Sequence, residues 1–282
     1  MGAKQFYSDK AKTAAKSARF INGFNKLVGK IVAKNLGSDY MALVMKRYKV
    51  ILFDADHTVI DYLEDEKAVL RELLPTLGIE PTEETVCECD DISNETWDNA
   101  GLNKVSSPYI QQEYHRLYVE HTEELFKALF AKYPSNADPK ATGLRFLKML
   151  ERPSILCEGA EEVLSKLAGK YTIGIATNAI SALQRPRLQT IAKWIDRIYI
   201  SEEVGFIKPL PQFFTHILED LGVKKEECLM VGDSLSSDIA GANASGIDSC
   251  WLNRAGRENK STHTPTYEIR RLTELLSLLE EN

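Results

Sequence analysis

Two carboxylates, Asp54 and Asp56, stand two residues apart where the apolar run KVILFD (49–54) gives out. Paired acids repel each other and are costly to bury, so the pair calls for a cation nearby. Later apolar runs end beside other polar groups: Thr177-Asn178, Lys208-Pro209, and Gly232-Asp233-Ser234, with Asp238 five residues past Asp233. Each is weak alone. A D-x-D-x-T string is often a solvated turn, and a Lys-Pro pair is usually a loop. Gathered in one place, the carboxylates, one ammonium and one hydroxyl make a hard-oxygen site suited to Mg2+.

To gather them, the chain must bring the ends of those runs to one edge. YKVILFD (48–54), YTIGIAT (171–177), DRIYIS (196–201), ECLMVGD (227–233) and DSCWLN (248–253) read as buried strands, with TYEI (266–269) a candidate sixth. Helices are expected over roughly 181–193, 211–221, 236–246 and the C-terminal stretch RLTELLSLLEE. Apolar runs alternating with helices imply parallel strands covered on both faces. The expected fold is therefore α/β, a doubly wound, Rossmann-like parallel sheet. Such sheets bind ligands beyond the carboxyl ends of their strands. From about Asp61 to Glu158 the pattern is helical throughout, clearest in EDEKAVLRELLPTL, in SPYIQQEYHRLYVEHTEELFKALF, and in DPKATGLRFLKML with Asp138-Pro139 as its cap. The division expected is a catalytic core over 46–60 and 159–282, with an all-helical cap over 61–158 inserted after the first strand.

The strings FDADHT, IATN, GFIKPLPQFF and MVGDSLSSDIAGANASG together resemble the haloacid-dehalogenase-like phosphohydrolase superfamily, from about Lys46 to the C-terminus. TIGIATNAISALQRPRL, YISEEVGFIKP and PTYEIRRLTEL are similar to its pyrimidine 5′-nucleotidase branch. The resemblance implies a Mg2+-dependent phosphomonoesterase working through an aspartyl-phosphate on Asp54. Asp56 would be the acid and then the base. Thr177 and Asn178 would donate to the phosphoryl oxygens, and Lys208 would supply fixed positive charge. Asp54, Asp233 and the main-chain carbonyl of Asp56 would hold the metal. Asp238 would support the metal or Lys208 from behind, or else be an ordinary helix-start carboxylate. The substrate implied is a nucleoside 5′-monophosphate, with another small phosphate ester, such as a sugar phosphate, as the alternative. Asp56 speaks against a dehalogenase, because it is the residue that protonates an ester oxygen. His57 departs from the Gly or acidic residue common in the family and is assigned no chemistry. Tyr62, Trp97, Tyr109 and Tyr114 are the aromatic candidates for contacting a base, although such residues in helical bundles are more often core.

The rest of the chain narrows the partners. With 44% hydrophobic and 27% charged residues among 282, it has an ordinary globular composition. No apolar run is long enough to span a bilayer, and no secretory leader is recognisable. Five scattered cysteines, Cys87, Cys89, Cys157, Cys228 and Cys250, match no zinc pattern and fit a reducing cytoplasm. Cys87 and Cys89 could bind a soft metal, but ordinary thiols are the simpler reading. The net charge is −6, yet residues 1–36 carry eight Lys/Arg and one Asp, which leaves the remainder at −13. An acidic body argues against binding a nucleic-acid polymer. Residues 1–40 read as a basic amphipathic segment, helical over about 8–36, whose apolar face is Phe20, Phe24, Leu27, Val28 and Ile31. It could pack on the body, rest on a membrane or partner, or be an appended or fused segment, as Gly37-Ser38 suggests; a scaffold tethered through it is the reading from outside enzymology.

Overall fold

The structure, a computed structural model, describes residues 48–281. The basic segment 1–40 and its expected helix lie outside the described residues. Six parallel strands form one sheet: β1 Val50–Phe53, β2 Thr172–Thr177, β3 Arg197–Ile200, β4 Cys228–Gly232, β5 Asp248–Leu252 and β6 Tyr267–Ile269. Their order is β3-β2-β1-β4-β5-β6. The chain thus winds outward in one direction from β1 and then in the other. The crevice at the reversal lies between β1 and β4, where this topology places ligands.

The strands are apolar runs because both faces are covered. Side chains alternate in direction along a strand. Ile51 and Phe53 of β1 join Ile173, Ile175, Leu229 and Val231 on one face, against Val163, Leu164 and Leu167. Val50 and Leu52 join Cys228 and Met230 on the other, against Phe213, Phe214 and Ile217. Fully burying a side chain of this size contributes roughly 1.5–3 kcal/mol. All four β1 side chains are buried, so the strand that carries Asp54 is firmly held.

Between Ile60 and Leu156 run four α-helices: α1 Tyr62–Leu73, α2 Glu83–Asn99, α3 Pro108–Lys132 and α4 Pro139–Leu150. They enclose an apolar cluster of their own, with Val69, Leu73, Val86, Phe126 and Phe146 at its centre. Asp61 caps α1 by accepting from the Glu64 N–H (3.2 Å). Asp138 caps α4 from the Ala141 N–H (2.7 Å), ahead of Pro139 in the first turn. Helix α2 is the one that the sequence pattern did not single out. Its buried face is Thr85, Val86, Cys89, Ser93 and Thr96, too polar to print an apolar period. The chain leaves and returns through a paired neck. Asp61 N–H bonds to Ile155 O (2.8 Å) and Cys157 N–H to Val59 O (3.1 Å), around an antiparallel bridge between Ile60 and Leu156.

Helix α5 Ala160–Leu167 leads into β2, and after β2 come α6 Ser181–Arg187, α7 Ser201–Val204, α8 Pro211–Leu221, α9 Ala240–Ser245 and α10 Glu274–Glu281. The helix expected over 181–193 is α-helical only to Arg187 and continues to Trp194 as 3-10 turns. Pro186, which has no N–H to donate, sits inside it. Helix α8 ends at Gly222, whose φ of 62° closes it in the left-handed conformation.

Candidate active site

Asp54 follows the last residue of β1, and its N–H bonds to Val231 O (2.8 Å), which continues the ladder to β4. Its side chain meets Lys208 across the crevice, with Nζ 2.7 Å from Oδ1. Lys208 is 1% exposed and all three of its ammonium hydrogens have acceptors: Asp54, Asp238 Oδ1 (2.6 Å) and Ala176 O (2.7 Å). Burial alone would push the ammonium down, but the two carboxylates reverse this and hold its pKa above the ordinary lysine value. The amine is thus a fixed positive charge.

Asp238 does not face the solvent as a helix-start carboxylate would. It is fully buried, with one oxygen on Lys208 and the other accepting from the Ser234 N–H (3.0 Å). Gly232 permits this, because a side chain there would collide with the Asp238 carboxylate. Asn178 is likewise turned toward Lys208. Its Oδ1 accepts the Lys208 N–H (2.7 Å) and its Nδ2 donates to Lys208 O (2.8 Å), leaving one amide hydrogen for another acceptor. Thr177 ends β2, is buried, and lines the same cavity.

Beyond Asp54 the chain turns sharply. The N–H groups of Thr58, Val59 and Ile60 all point to Ala55 O, and the His57 N–H bonds to Ile60 O. His57 sits in this turn at φ 58°, in the left-handed region where glycine is usual. That accounts for the family's preference at this position, and here an exposed imidazole takes the strain. Arg254, beyond β5, braces the turn by donating to the carbonyls of His57 and Thr58.

Asp56 points to the opposite wall. Arg187 Nη1 donates to Oδ1 (2.7 Å) and Gln184 Nε2 to Oδ2 (3.0 Å). Neither partner was among the residues expected from sequence. One signal was available: Gln184 and Arg187 share a helical face with Leu183, and polar groups on an apolar face need a reason to be there.

Ligand atoms of Asp54, Asp233 and Asp238 lie within 4.8 Å of one another. Both Asp238 oxygens are already bonded, so a cation would find its free oxygens on Asp54 and Asp233. Desolvation, with the Asp238 charge, pushes Asp54 up to about 7, against the pull of Lys208. Desolvation and Asp54 push Asp233 up to about 6. Burial and mutual repulsion thus make it costly for both to ionise without a cation, and an all-oxygen donor set of this kind fits a small divalent ion. Cys87 and Cys89 form no such site. One is exposed and the other buried, as i, i+2 positions on a helix must be.

A cavity of about 390 Å3 opens over these groups. Its floor includes Asp54, Asp56, Thr177, Asn178, Lys208 and Asp233; its helical side includes Tyr62, Glu66, Trp97, Tyr114, Tyr118 and His121. Tyr109 is 58% exposed and is absent from the lining, unlike the other three aromatic candidates. Trp97 stands edge-on to Tyr118 and His121, at 5.5 and 5.1 Å between ring centres. Burial lowers His121 to about 4, so its ring is neutral.

The model of the haloacid dehalogenase-like hydrolases matches residues 48–246. The chain belongs to that family. It is 31% identical to the HAD-hydrolase YfnB of Bacillus subtilis, over 83% of this chain and 97% of that one. It is 30% identical to the pyrimidine 5′-nucleotidase PynA of Streptococcus pneumoniae (83% and 96% covered) and to the pyrimidine 5′-nucleotidase YjjG of Escherichia coli (81% and 96%). A crystal structure of YfnB bound to magnesium superposes with a TM-score of 0.71 at 30% identity, covering 83% of this chain and 99% of that chain. The chain is an enzyme, a phosphatase of this family. No helix among the described residues is long and apolar enough to cross a membrane.

Proposed function

We propose that the protein is a Mg2+-dependent phosphatase of nucleoside 5′-monophosphates, with pyrimidines preferred. The observation that carries the reading is the Lys208 bridge: a buried ammonium 2.7 Å from Asp54 Oδ1, on the floor of a cavity that Asp56 and Thr177 also line. A carboxylate so placed can meet an anionic phosphate, because fixed positive charge already stands beside it.

In this reading Asp54 Oδ attacks phosphorus and the bond to the leaving oxygen breaks. Asp56 gives that oxygen its proton. Water then attacks the aspartyl-phosphate, Asp56 takes the proton back, and Asp54 is released with inorganic phosphate. Thr177 Oγ1 and the remaining amide hydrogen of Asn178 donate to phosphoryl oxygens, and Lys208 holds charge on them through the transfer. Asp54, Asp233 and the Asp56 carbonyl would hold Mg2+, which when bound neutralises the two facing anions. Asp238 keeps Lys208 in place. The helical segment 61–158 acts as a cap that shields the reacting groups from water. Two features support a nucleotide. Tyr62, Trp97, Tyr114 and Tyr118 give flat apolar walls for a base, and two relatives similar over most of the chain are pyrimidine 5′-nucleotidases. Residues 8–36 remain a candidate contact for a membrane or partner, and the acidic body disfavours nucleic-acid polymers.

Phosphate release from UMP and dUMP with Mg2+, compared between wild type and Asp54→Asn, tests the reading. Turnover by the wild type and none by the variant is expected. Rapid turnover of sugar phosphates with none of any nucleotide would overturn the substrate assignment.

A further inference from the structure

Arg187 has no part in the chemistry above, yet it is fully buried beside it. Nη1 donates to Asp56 Oδ1 (2.7 Å) and to Gln184 Oε1 (2.8 Å); Nη2 donates to Asp65 Oδ2 (3.1 Å). The guanidinium also lies 4.9 Å from the centre of the Tyr62 ring. Asp65 and Tyr62 both belong to α1, and the other oxygen of Asp65 accepts from the Ile155 N–H (2.9 Å) at the neck. Gln184, oriented through its own oxygen by Arg187, turns its amide hydrogens to Asp56 Oδ2 (3.0 Å) and Thr177 Oγ1 (3.3 Å). A buried cation therefore joins one carboxylate at the sheet edge to another on the first helix of the cap.

An aspartate just past a strand end is free to turn. Without a partner on the far wall, the Asp56 carboxylate would be drawn toward Lys208 or a bound cation. Held by the guanidinium Nη1 on one oxygen and an amide on the other, it has one orientation. Oδ1 is committed to the guanidinium. Oδ2, with the longer and weaker bond, keeps a lone pair for a proton.

We propose that Arg187, with Gln184, is the positioning group for Asp56: it fixes the direction from which Oδ2 exchanges a proton with the leaving oxygen, and it ties that direction to helix α1. The inference rests on the phosphatase reading, with Asp56 as acid and base, and not on the identity of the base. The proton leaves Asp56 Oδ2 for the ester oxygen as the P–O bond breaks, and returns from water in the second half. Arg187 touches no reacting atom.

The test separates leaving groups. An alkyl ester such as UMP, or glycerol 2-phosphate if UMP is not turned over, needs its leaving oxygen protonated; p-nitrophenyl phosphate does not. The parameter to read is kcat/KM, which stops at the aspartyl-phosphate and so excludes the later base step. Removal of an oriented general acid is expected to cost roughly 100-fold or more on the alkyl ester. For Arg187→Met we expect that loss in kcat/KM on the alkyl ester, a change within about 5-fold on p-nitrophenyl phosphate, and partial recovery in Arg187→Lys. Should Arg187→Met not fold, Gln184→Met, which leaves both ion pairs intact, should show the same selectivity at roughly a tenth of the size. Equal losses on both esters, or none, in whichever variant folds would overturn the inference. Asp56→Asn is the control. If it too fails to discriminate between the esters, the role given to Asp56 is wrong; if it discriminates and the Arg187 and Gln184 variants do not, only the positioning role falls.

Discussion

Glu66 offers the sharpest measurement on this molecule. It is 3% exposed, on the buried face of α1, and among the described residues Ser93 Oγ is its hydrogen-bond donor (3.1 Å). Desolvation raises its pKa from 4.5 to about 7, despite the pull of the Ser93 hydroxyl. The sign follows from proton uptake. Between about pH 4.5 and 7 the folded protein holds a proton on Glu66 that the unfolded chain has lost, so stability falls as pH rises across that window. At pH 8 the ionised, buried carboxylate costs about 3 kcal/mol relative to a neutral group, from 1.36 kcal/mol for each pKa unit. About 2 kcal/mol of this is lost between pH 5.5 and 8. Glu66→Gln keeps the shape and an acceptor for Ser93 and removes the charge. At pH 8 the variant should melt roughly 6–12 °C above the wild type, and the gap should shrink by more than half at pH 5.5. Thermal melting at several pH values, with the metal concentration fixed, reads this directly. Parallel wild-type and variant curves across pH 5.5–8 would refute the argument, because they would show Glu66 to be ionised and solvated at its ordinary value.

Three further outcomes are expected. Mg2+ should raise the melting temperature more at pH 8 than at pH 5.5, because Asp54 and Asp233, raised to about 7 and about 6, must lose their protons to bind it; a shift that does not depend on pH would count against these ligands. Lys208→Met leaves Asp54 and Asp238 buried without their cation and should destabilise the fold by about 3–5 kcal/mol in urea titration, with turnover lost. Trp97→Ala removes an aromatic wall of the cavity and should raise the KM for UMP roughly 5- to 100-fold, from about 1–3 kcal/mol per stacked base; an unchanged KM would place the base elsewhere.

Legibility in the sequence followed the physics of each element. The sheet was readable because strands covered on both faces must be apolar throughout, as VILF and TIGIAT are. The positions of Asp54, Thr177 and Asp233 followed from where those runs stop. The partners of the site were harder to read. Arg187 stands 131 residues from Asp56 and on a helix, where a basic residue usually means solvent. Its neighbour Arg185 does face solvent, paired with Glu203, and only the shared face with Leu183 sets Arg187 apart. Asn178 was visible as a polar residue at a strand end, but not its pair of hydrogen bonds to the Lys208 main chain, which depends on how the loop before α8 packs. His57 was conspicuous as a residue and obscure as a conformation, because its left-handed φ is set by three N–H groups converging on Ala55 O. Helix α2 hid behind its polar interior face.

The neck between Ile60 and Leu156 has one further consequence. Because the outgoing and returning segments bond to each other, the ends of everything between them are held side by side, whatever lies between. The register of β1 and β2 therefore does not depend on the length of chain between those points. A change in the length of the inserted stretch can therefore be absorbed without moving the point where the chain leaves and re-enters the sheet. The Arg187–Asp65 pair is one restraint on that freedom, since a replacement for α1 must still offer the guanidinium a second acceptor; the buried packing of Leu183 and Ile207 against the inserted helices is another.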